Sequence, residues 1–214
     1  PGLTRVYFAS DGASAVEAAI RIAVQSFHNR GRAGKKGLIA LADAYHGDTL
    51  GAVGAGYLES FHAPLRHLLN RAPQAPSPHC FACAVRGACD LRCFDGMRRL
   101  VEEHAESTAA VIVEPLVQGS AGMRIYPAEY LRRLRELCDQ HGTLLLMDSI
   151  QAGLRARGCL SVVDYPGFES LPEPDMESYS KALNAGQYPL SVLAMNARAA
   201  GLYQKGVYGN TMTA

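Results

Sequence analysis

Asp148, Gln151 and Lys181 are the residues of this chain whose types and spacing could do chemistry together. The apolar run Thr143-Leu-Leu-Leu-Met147 delivers Asp148, and Gln151 follows just beyond it. Lys181 lies in Tyr179-Ser-Lys-Ala-Leu-Asn-Ala-Gly186. A lysine amine can form a Schiff base with an aldehyde cofactor. A buried carboxylate can hold a pyridine nitrogen protonated, so that the ring withdraws electrons. These are the two demands of a pyridoxal phosphate site. A lysine in a glycine-containing loop is by itself most often a solvated side chain, so the reading depends on what surrounds it.

The surrounding pattern alternates between strand and helix. Arg5–Ala9 is a short apolar run ending in Ser10-Asp11-Gly12, and from Ser14 the residues Ala15, Ala18, Ala19, Ile22 and Ala23 keep helical spacing. Further strands are predicted at Gly37–Ala42, Ala109–Val113, Thr143–Met147, Met176–Tyr179 and Leu190–Met195, with an amphipathic helix from Tyr130 to His141. Apolar strands separated by helices imply an α/β fold, a mainly parallel sheet flanked by helices on both faces. The stretch from about Ala72 to Cys93, rich in Pro and Cys, reads as an inserted loop.

In such sheets ligands bind outside the carboxyl ends of the strands. Gly12 and Ala13 follow the first strand and open a helix, where free N–H groups favour a phosphate. Tyr45 and His46 follow the second, and an aromatic ring there can stack on a flat cofactor. Glu114 ends the third strand and Asp148 the fourth. Each alone is more often a cap or a packing residue. Aromatic, acid, acid, Gln and Lys at successive strand ends rarely arise by chance.

Composition narrows the remaining classes. The chain has 214 residues, 48% hydrophobic, enough for a real core in one large domain or two small ones. With 21 Lys+Arg against 20 Asp+Glu the net charge is +1, which offers no electrostatic case for nucleic acid or an acidic membrane. No apolar run approaches the roughly 20 residues that a membrane helix needs. The start, Pro-Gly-Leu-Thr-Arg, has no signal-peptide anatomy, so a cytoplasmic location is the expectation.

Taken together, these segments resemble the large, cofactor-binding domain of class III aminotransferases, pyridoxal-phosphate enzymes that share the aspartate aminotransferase fold. The resemblance runs over nearly the whole chain, 1–214. It is carried by Phe8–Ala19, Tyr45–Thr49, Val111–Gly119, Tyr126–Arg132, Asp148–Gly153 and Ser180–Leu183. It implies that Lys181 holds the cofactor as an internal aldimine and shuttles a proton, and that Asp148 pairs with the pyridinium nitrogen. Gln151 would reach the phenolic oxygen, Tyr45 would stack on the ring, and Gly12 and Ala13 would bind the phosphate. Glu114 matches an acid near the substrate side. Thr211 matches a threonine that closes the phosphate site of a partner subunit, which implies a homodimer with shared sites.

Departures accompany the match. Relatives usually read Gly-Ser at Gly12-Ala13, carry Glu where this chain has Ser149, and show a Thr-Gly-Phe-Gly-Arg-Thr-Gly pattern that is degraded here to Ala152–Gly158. They also have an N-terminal segment and a C-terminal small domain that the sequence lacks, so a truncated or split enzyme is expected. A catalytically silent fragment that needs a partner chain is the alternative of another class. The motifs are most similar to those of 8-amino-7-oxononanoate aminotransferases of biotin synthesis. The omega-amino acid, 4-aminobutyrate and ornithine enzymes share most of them, which leaves the amino donor and keto acceptor open.

Cys80, Cys83, Cys89 and Cys93 cluster in the inserted loop. Four thiolates could hold a zinc ion, and the first pair resembles an iron–sulfur motif of some 4-aminobutyrate aminotransferases. The spacing is not a standard two-knuckle zinc pattern, and the expectation is no metal.

Overall fold

The computed structural model describes residues 2–85, 88–154, 159–166, 168 and 171–202. In chain order the elements are β1 (Leu3–Ala9), α1 (Gly12–Asn29), β2 (Gly37–Leu41), α2 (Leu50–Ala55), α3 (Glu59–His62) and β3 (Gln74–Ala75). They continue with α4 (Phe94–Glu103), β4 (Thr108–Val113), β5 (Val117–Gln118), β6 (Arg124–Ile125), α5 (Ala128–Gln140) and β7 (Leu144–Asp148). The last are β8 (Met176–Tyr179), β9 (Ser191–Asn196) and α6 (Ala197–Leu202).

Seven strands form one sheet in the order β1-β9-β8-β7-β4-β2-β3, and β5 pairs with β6 apart from it. From β3 to β8 the strands are parallel; β9 runs antiparallel to both β8 and β1. β1 therefore points the same way as β8. Both β4 and β7 are buried at every residue, which explains their unbroken apolar runs. On one face α1 lays Ala15, Ala18, Ala19 and Ala23 toward Ala40, Ala109 and Ala110, small side chains that let helix and sheet approach closely. On the other face Leu131, Leu134 and Cys138 of α5 and Met97 and Val101 of α4 cover Ile39, Val111, Leu145 and Met147.

The predicted strands match the observed ones within one or two residues. The inserted loop needs correction at its start. Gln74–Ala75 is β3, paired in parallel with Ala40–Leu41 as the edge of the main sheet. Two residues between Pro73 and Pro76 are too short to show a period. Helix α4 also went unread, because only Phe94, Met97 and Val101 mark its buried side. No helix among the described residues is long and apolar enough to cross a membrane.

Local chemistry sets the element ends. Asp11 caps α1, its carboxylate accepting the Ser14 N–H at 2.9 Å. Helix α5 stops at Gly142, whose φ of +59° suits glycine. Lys35, 2% exposed, donates to the carbonyls of His141 and Gly142 and to the Thr143 hydroxyl beyond that end. A cation there meets the negative end of the helix dipole.

Asp175, just before β8, accepts from Arg135 of α5 at 2.7 Å and from the Leu145 N–H of β7 at 2.8 Å. It therefore locks α5, β7 and β8 in one register. Asp175→Ala is expected to lower the free energy of unfolding by about 3 kcal/mol, because it removes the buried partner of the Arg135 guanidinium, which keeps only the half-exposed Asp139, and leaves the Leu145 N–H without its acceptor. Urea denaturation monitored by circular dichroism checks this, and a loss below the error of the measurement would contradict it.

Candidate active site

The carboxyl ends of β1, β2, β4, β7 and β8 open into one cavity of about 440 Å³, whose lining includes Gly12, Ala13, Tyr45, His46, Glu114, Asp148, Gln151 and Lys181. The structure thus brings together every described site residue expected from sequence. Thr211 lies outside the described residues, as does the stretch 155–158.

Gly12 and Ala13 form the first turn of α1, where N–H groups lack helical acceptors. A Cβ at Gly12 would come within 2.7 Å of the Ile150 side-chain tip, so a larger residue there would make Ile150 shift. Ser14, the hydroxyl nearest Ala13 in sequence, turns back to donate to Asp11 at 2.7 Å. The loop after β2 presses onto the same turn. Gly47, at φ +124°, leaves no room for a side chain, since its Cβ would lie 2.5 Å from that of Ala13.

Tyr45 is held at three points. Its N–H donates to Glu114 at 3.1 Å, its hydroxyl donates to Asp48 at 2.8 Å, and its ring lies parallel to His62, 6.0 Å between centroids. Partial burial and the Asp48 carboxylate push the phenol pKa up to about 12, so the hydroxyl stays protonated. Glu17 of α1 braces the loop from below, accepting from the Thr49 hydroxyl at 2.6 Å and from the Gly51 and Ala52 N–H groups.

Asp148 is 4% exposed at the end of β7. One oxygen accepts from the Ile150 N–H at 3.1 Å, and the other meets Nδ1 of fully enclosed His46 at 2.8 Å. The pairing assigns the Nδ1 proton of His46, directed at the carboxylate. His46, expected from sequence as a cofactor contact, therefore also supports Asp148. Glu114 is 3% exposed and accepts the N–H groups of Tyr45 and Gly119, at 3.1 and 2.9 Å. Burial raises its pKa, a shift that the charge of His46 opposes. Glycine at 119 makes space for Gln151, whose amide nitrogen would sit 2.9 Å from a Cβ there.

Lys181 follows β8 and lines the same cavity, in a short turn over Lys181–Leu183. Its φ of +43° is a left-handed conformation that non-glycine residues adopt sparingly. Ser180 receives a hydrogen bond from Ser191 at 2.7 Å, and Asn184 donates to the Leu190 carbonyl at 2.8 Å, which pins both sides of that turn. Sequence reasoning missed Asp48, His62 and Glu17, whose importance is their contact with Tyr45 or its loop; no spacing in the chain signals that contact.

Cys80 and Cys93 pack against the core, and burial followed by neighbouring thiols raises the pKa of both. Among the described residues no three His, Cys, Asp or Glu side chains converge on a point that could hold a metal ion.

A family model described as aminotransferase class-III matches residues 1–214. The chain belongs to the class III aminotransferases. It is 37% identical over 195 residues to the adenosylmethionine-8-amino-7-oxononanoate aminotransferase of Geobacter sulfurreducens, covering 89% of this chain and 42% of that one. The acetylornithine aminotransferase of Neisseria meningitidis serogroup B is 30% identical over 210 residues, 97% of this chain and 46% of that one. Among solved structures, the adenosylmethionine-8-amino-7-oxononanoate aminotransferase of Methanocaldococcus jannaschii superposes with a TM-score of 0.85 at 30% identity, covering 99% of this chain and 48% of that one. An amine transaminase from an uncultivated Pseudomonas species, solved with pyridoxal phosphate bound, gives 0.81 at 31% identity, with 94% and 45% covered. The chain spans less than half the length of these relatives.

The contact between Gly47 and Ala13 yields a paired test in this aminotransferase chain. Gly47→Ala combines left-handed backbone strain with a collision, and is expected to cost about 1–3 kcal/mol of stability and to weaken pyridoxal phosphate binding. Gly122→Ala is also strained, at φ +89°, but meets nothing within 4 Å. It should lower stability alone, so equal cofactor affinity in the two variants would refute a role for the Gly47–Ala13 contact in shaping the α1 first turn for a ligand.

Proposed function

We propose that this chain is the pyridoxal-phosphate-binding domain of an aminotransferase that moves an amino group from an amino donor to a keto acceptor. The observation that carries the reading is the enclosure of one cavity by the α1 N-terminus, Tyr45, the His46-backed Asp148, Gln151 and Lys181. The fit is chemical as well as spatial. A phosphate suits the backbone N–H groups at the start of α1, at Gly12 and Ala13. A pyridine nitrogen suits Asp148, whose negative charge favours the protonated ring. When bound, pyridoxal phosphate supplies an aldehyde and an electron-withdrawing ring.

The chain's own residues do the rest. The Lys181 amine would hold the cofactor through its aldehyde, and would then be the group placed to move a proton at the substrate carbon. His46 keeps Asp148 aimed. Tyr45, clamped by Asp48 and Glu114, forms an aromatic wall, and Gln151 would offer its amide to the cofactor. Glu114 would face the substrate. The relatives named for 8-amino-7-oxononanoate favour that keto acceptor, and with it a place in biotin synthesis and the cytoplasm. The acetylornithine relative keeps an omega-amino acid substrate as the second reading. A homodimer, with Thr211 completing the partner's phosphate site, belongs to the same proposal.

Borohydride reduction of the chain loaded with pyridoxal phosphate, followed by peptide mass analysis, should place the label on Lys181. Lys181→Ala should lose both the label and turnover while keeping some non-covalent cofactor; label on another lysine would sink the assignment. Asp148→Asn preserves shape but removes the charge, so turnover should fall by orders of magnitude with a smaller loss of affinity. Wild-type turnover in that variant would mean that the ring nitrogen has another partner. For the dimer, cofactor affinity should decline on dilution and in Thr211→Val, and a monomer with unchanged affinity at every concentration would exclude shared sites.

A further inference from the structure

Four acids are buried among the described residues, and Glu177 differs from the other three. Asp148 has His46, Asp175 has Arg135, and Glu114 has two backbone N–H groups. Glu177, 0% exposed on β8, faces hydroxyl groups instead. The Ser149 hydroxyl donates to Oε1, and the Ser161 hydroxyl lies 2.9 Å from both carboxylate oxygens. Glu177 does not line the cavity. Residue alternation puts it behind the site: Asp148 pairs in register with Ser178, so Ser149 and Glu177 share the opposite face of the sheet.

The two serines bracket a functional segment. Ser149 directly follows Asp148, and its N–H donates to the Ser178 carbonyl at 3.0 Å. Ser161 accepts the Val163 N–H and starts the short turn over Val162–Asp164. Gln151 lies between them. Glu177 itself stands four residues before Lys181 on the strand that delivers it. A single carboxyl group therefore joins both ends of the Gln151 segment to the Lys181 strand. The pattern that this chain resembles usually has Glu at the position of Ser149.

We propose that Glu177 is a positioning residue of this site, clasping the Gln151 segment from β8 and replacing, from the neighbouring strand, the acid that relatives carry after the Asp148 position. The inference deepens the cofactor reading and rests on it for its meaning in catalysis; the clasp itself is independent of any cofactor.

The protonation state of the clasp follows from its surroundings. Burial without a cation pushes the Glu177 pKa up to about 7, against the lowering effect of hydroxyl donors, with the charge of Asp164 adding to the rise. Tyr179, beside it on β8, is itself raised by burial and stays neutral. The folded state thus holds a proton that the unfolded chain releases near pH 4.5. The stabilisation is full below that pH and is lost as pH rises through about 7.

Four proteins decide the matter: wild type, Glu177→Gln, Glu177→Val and the double variant Ser149→Glu/Glu177→Val. Hydrogen exchange of peptides spanning 149–161, in the absence of cofactor, reads the clasp directly. Pyridoxal phosphate titration across pH 6–9 reads its effect on the site. Glu177→Val should speed exchange in 149–161 selectively and weaken cofactor binding on the order of tenfold, the scale of effect known for supporting groups behind metal ligands. The double variant should recover most of both. Glu177→Gln should keep the affinity and flatten its decline through neutral pH. Unchanged exchange in Glu177→Val overturns the clasp, and a double variant no better than Glu177→Val overturns the replacement of the missing acid. Failure of wild type to bind pyridoxal phosphate would instead reject the cofactor reading, with the exchange result still deciding the clasp.

Discussion

The shared direction of β1, β2, β4, β7 and β8 is the constraint from which the site follows. A strand releases the chain at its carboxyl end, where its last backbone groups can no longer pair within the sheet. Five releases at one edge bring Gly12, Tyr45, Glu114, Asp148 and Lys181 around one cavity, although 169 positions separate the first from the last. The antiparallel β9 is part of this arrangement. By reversing direction between β8 and β1 it lets the first strand of the chain join the far side of the sheet with its carboxyl end at the correct edge.

Within and at both ends of the sheet the chain resolves a difficult electrostatic problem. A parallel sheet covered on both faces excludes water, and an ionised carboxylate there is costly unless it is paired. Each buried acid answers differently, and each answer ties a piece of the sheet or of the site in place. His46 orients Asp148, and the two N–H groups on Glu114 join the Tyr45 loop to Gly119. Arg135 on Asp175 sets the register between β7 and β8. Hydroxyl groups surround Glu177, the acid whose pKa burial raises to about 7. The left-handed backbone at Lys181 is held within the same framework, between the Ser180–Ser191 hydrogen bond and the Asn184–Leu190 bond.

What could be read in advance depended on the range of the interaction. The long strands and helices α1 and α5 repeat a buried side chain often enough to declare their period. The residues at their ends could be named as candidates because strand ends in such a sheet face the ligand. Segments with few residues per element offered no such signal. β3 has two residues between prolines, and α4 shows three buried positions.

The amino-acid sequence by itself determined the α/β class and the mainly parallel sheet, and it named candidates for several of the groups that line the cavity, because those follow from periodicity and chain order. Tertiary structure decided which groups touch. That His46 supports Asp148, that Glu17 braces the Tyr45 loop and that Glu177 meets Ser149 and Ser161 are contacts across 102, 32, 28 and 16 positions of sequence. A hydrogen bond needs its partners within about 3 Å, and such closeness between distant residues is created only when the strands pair and the helices close over them.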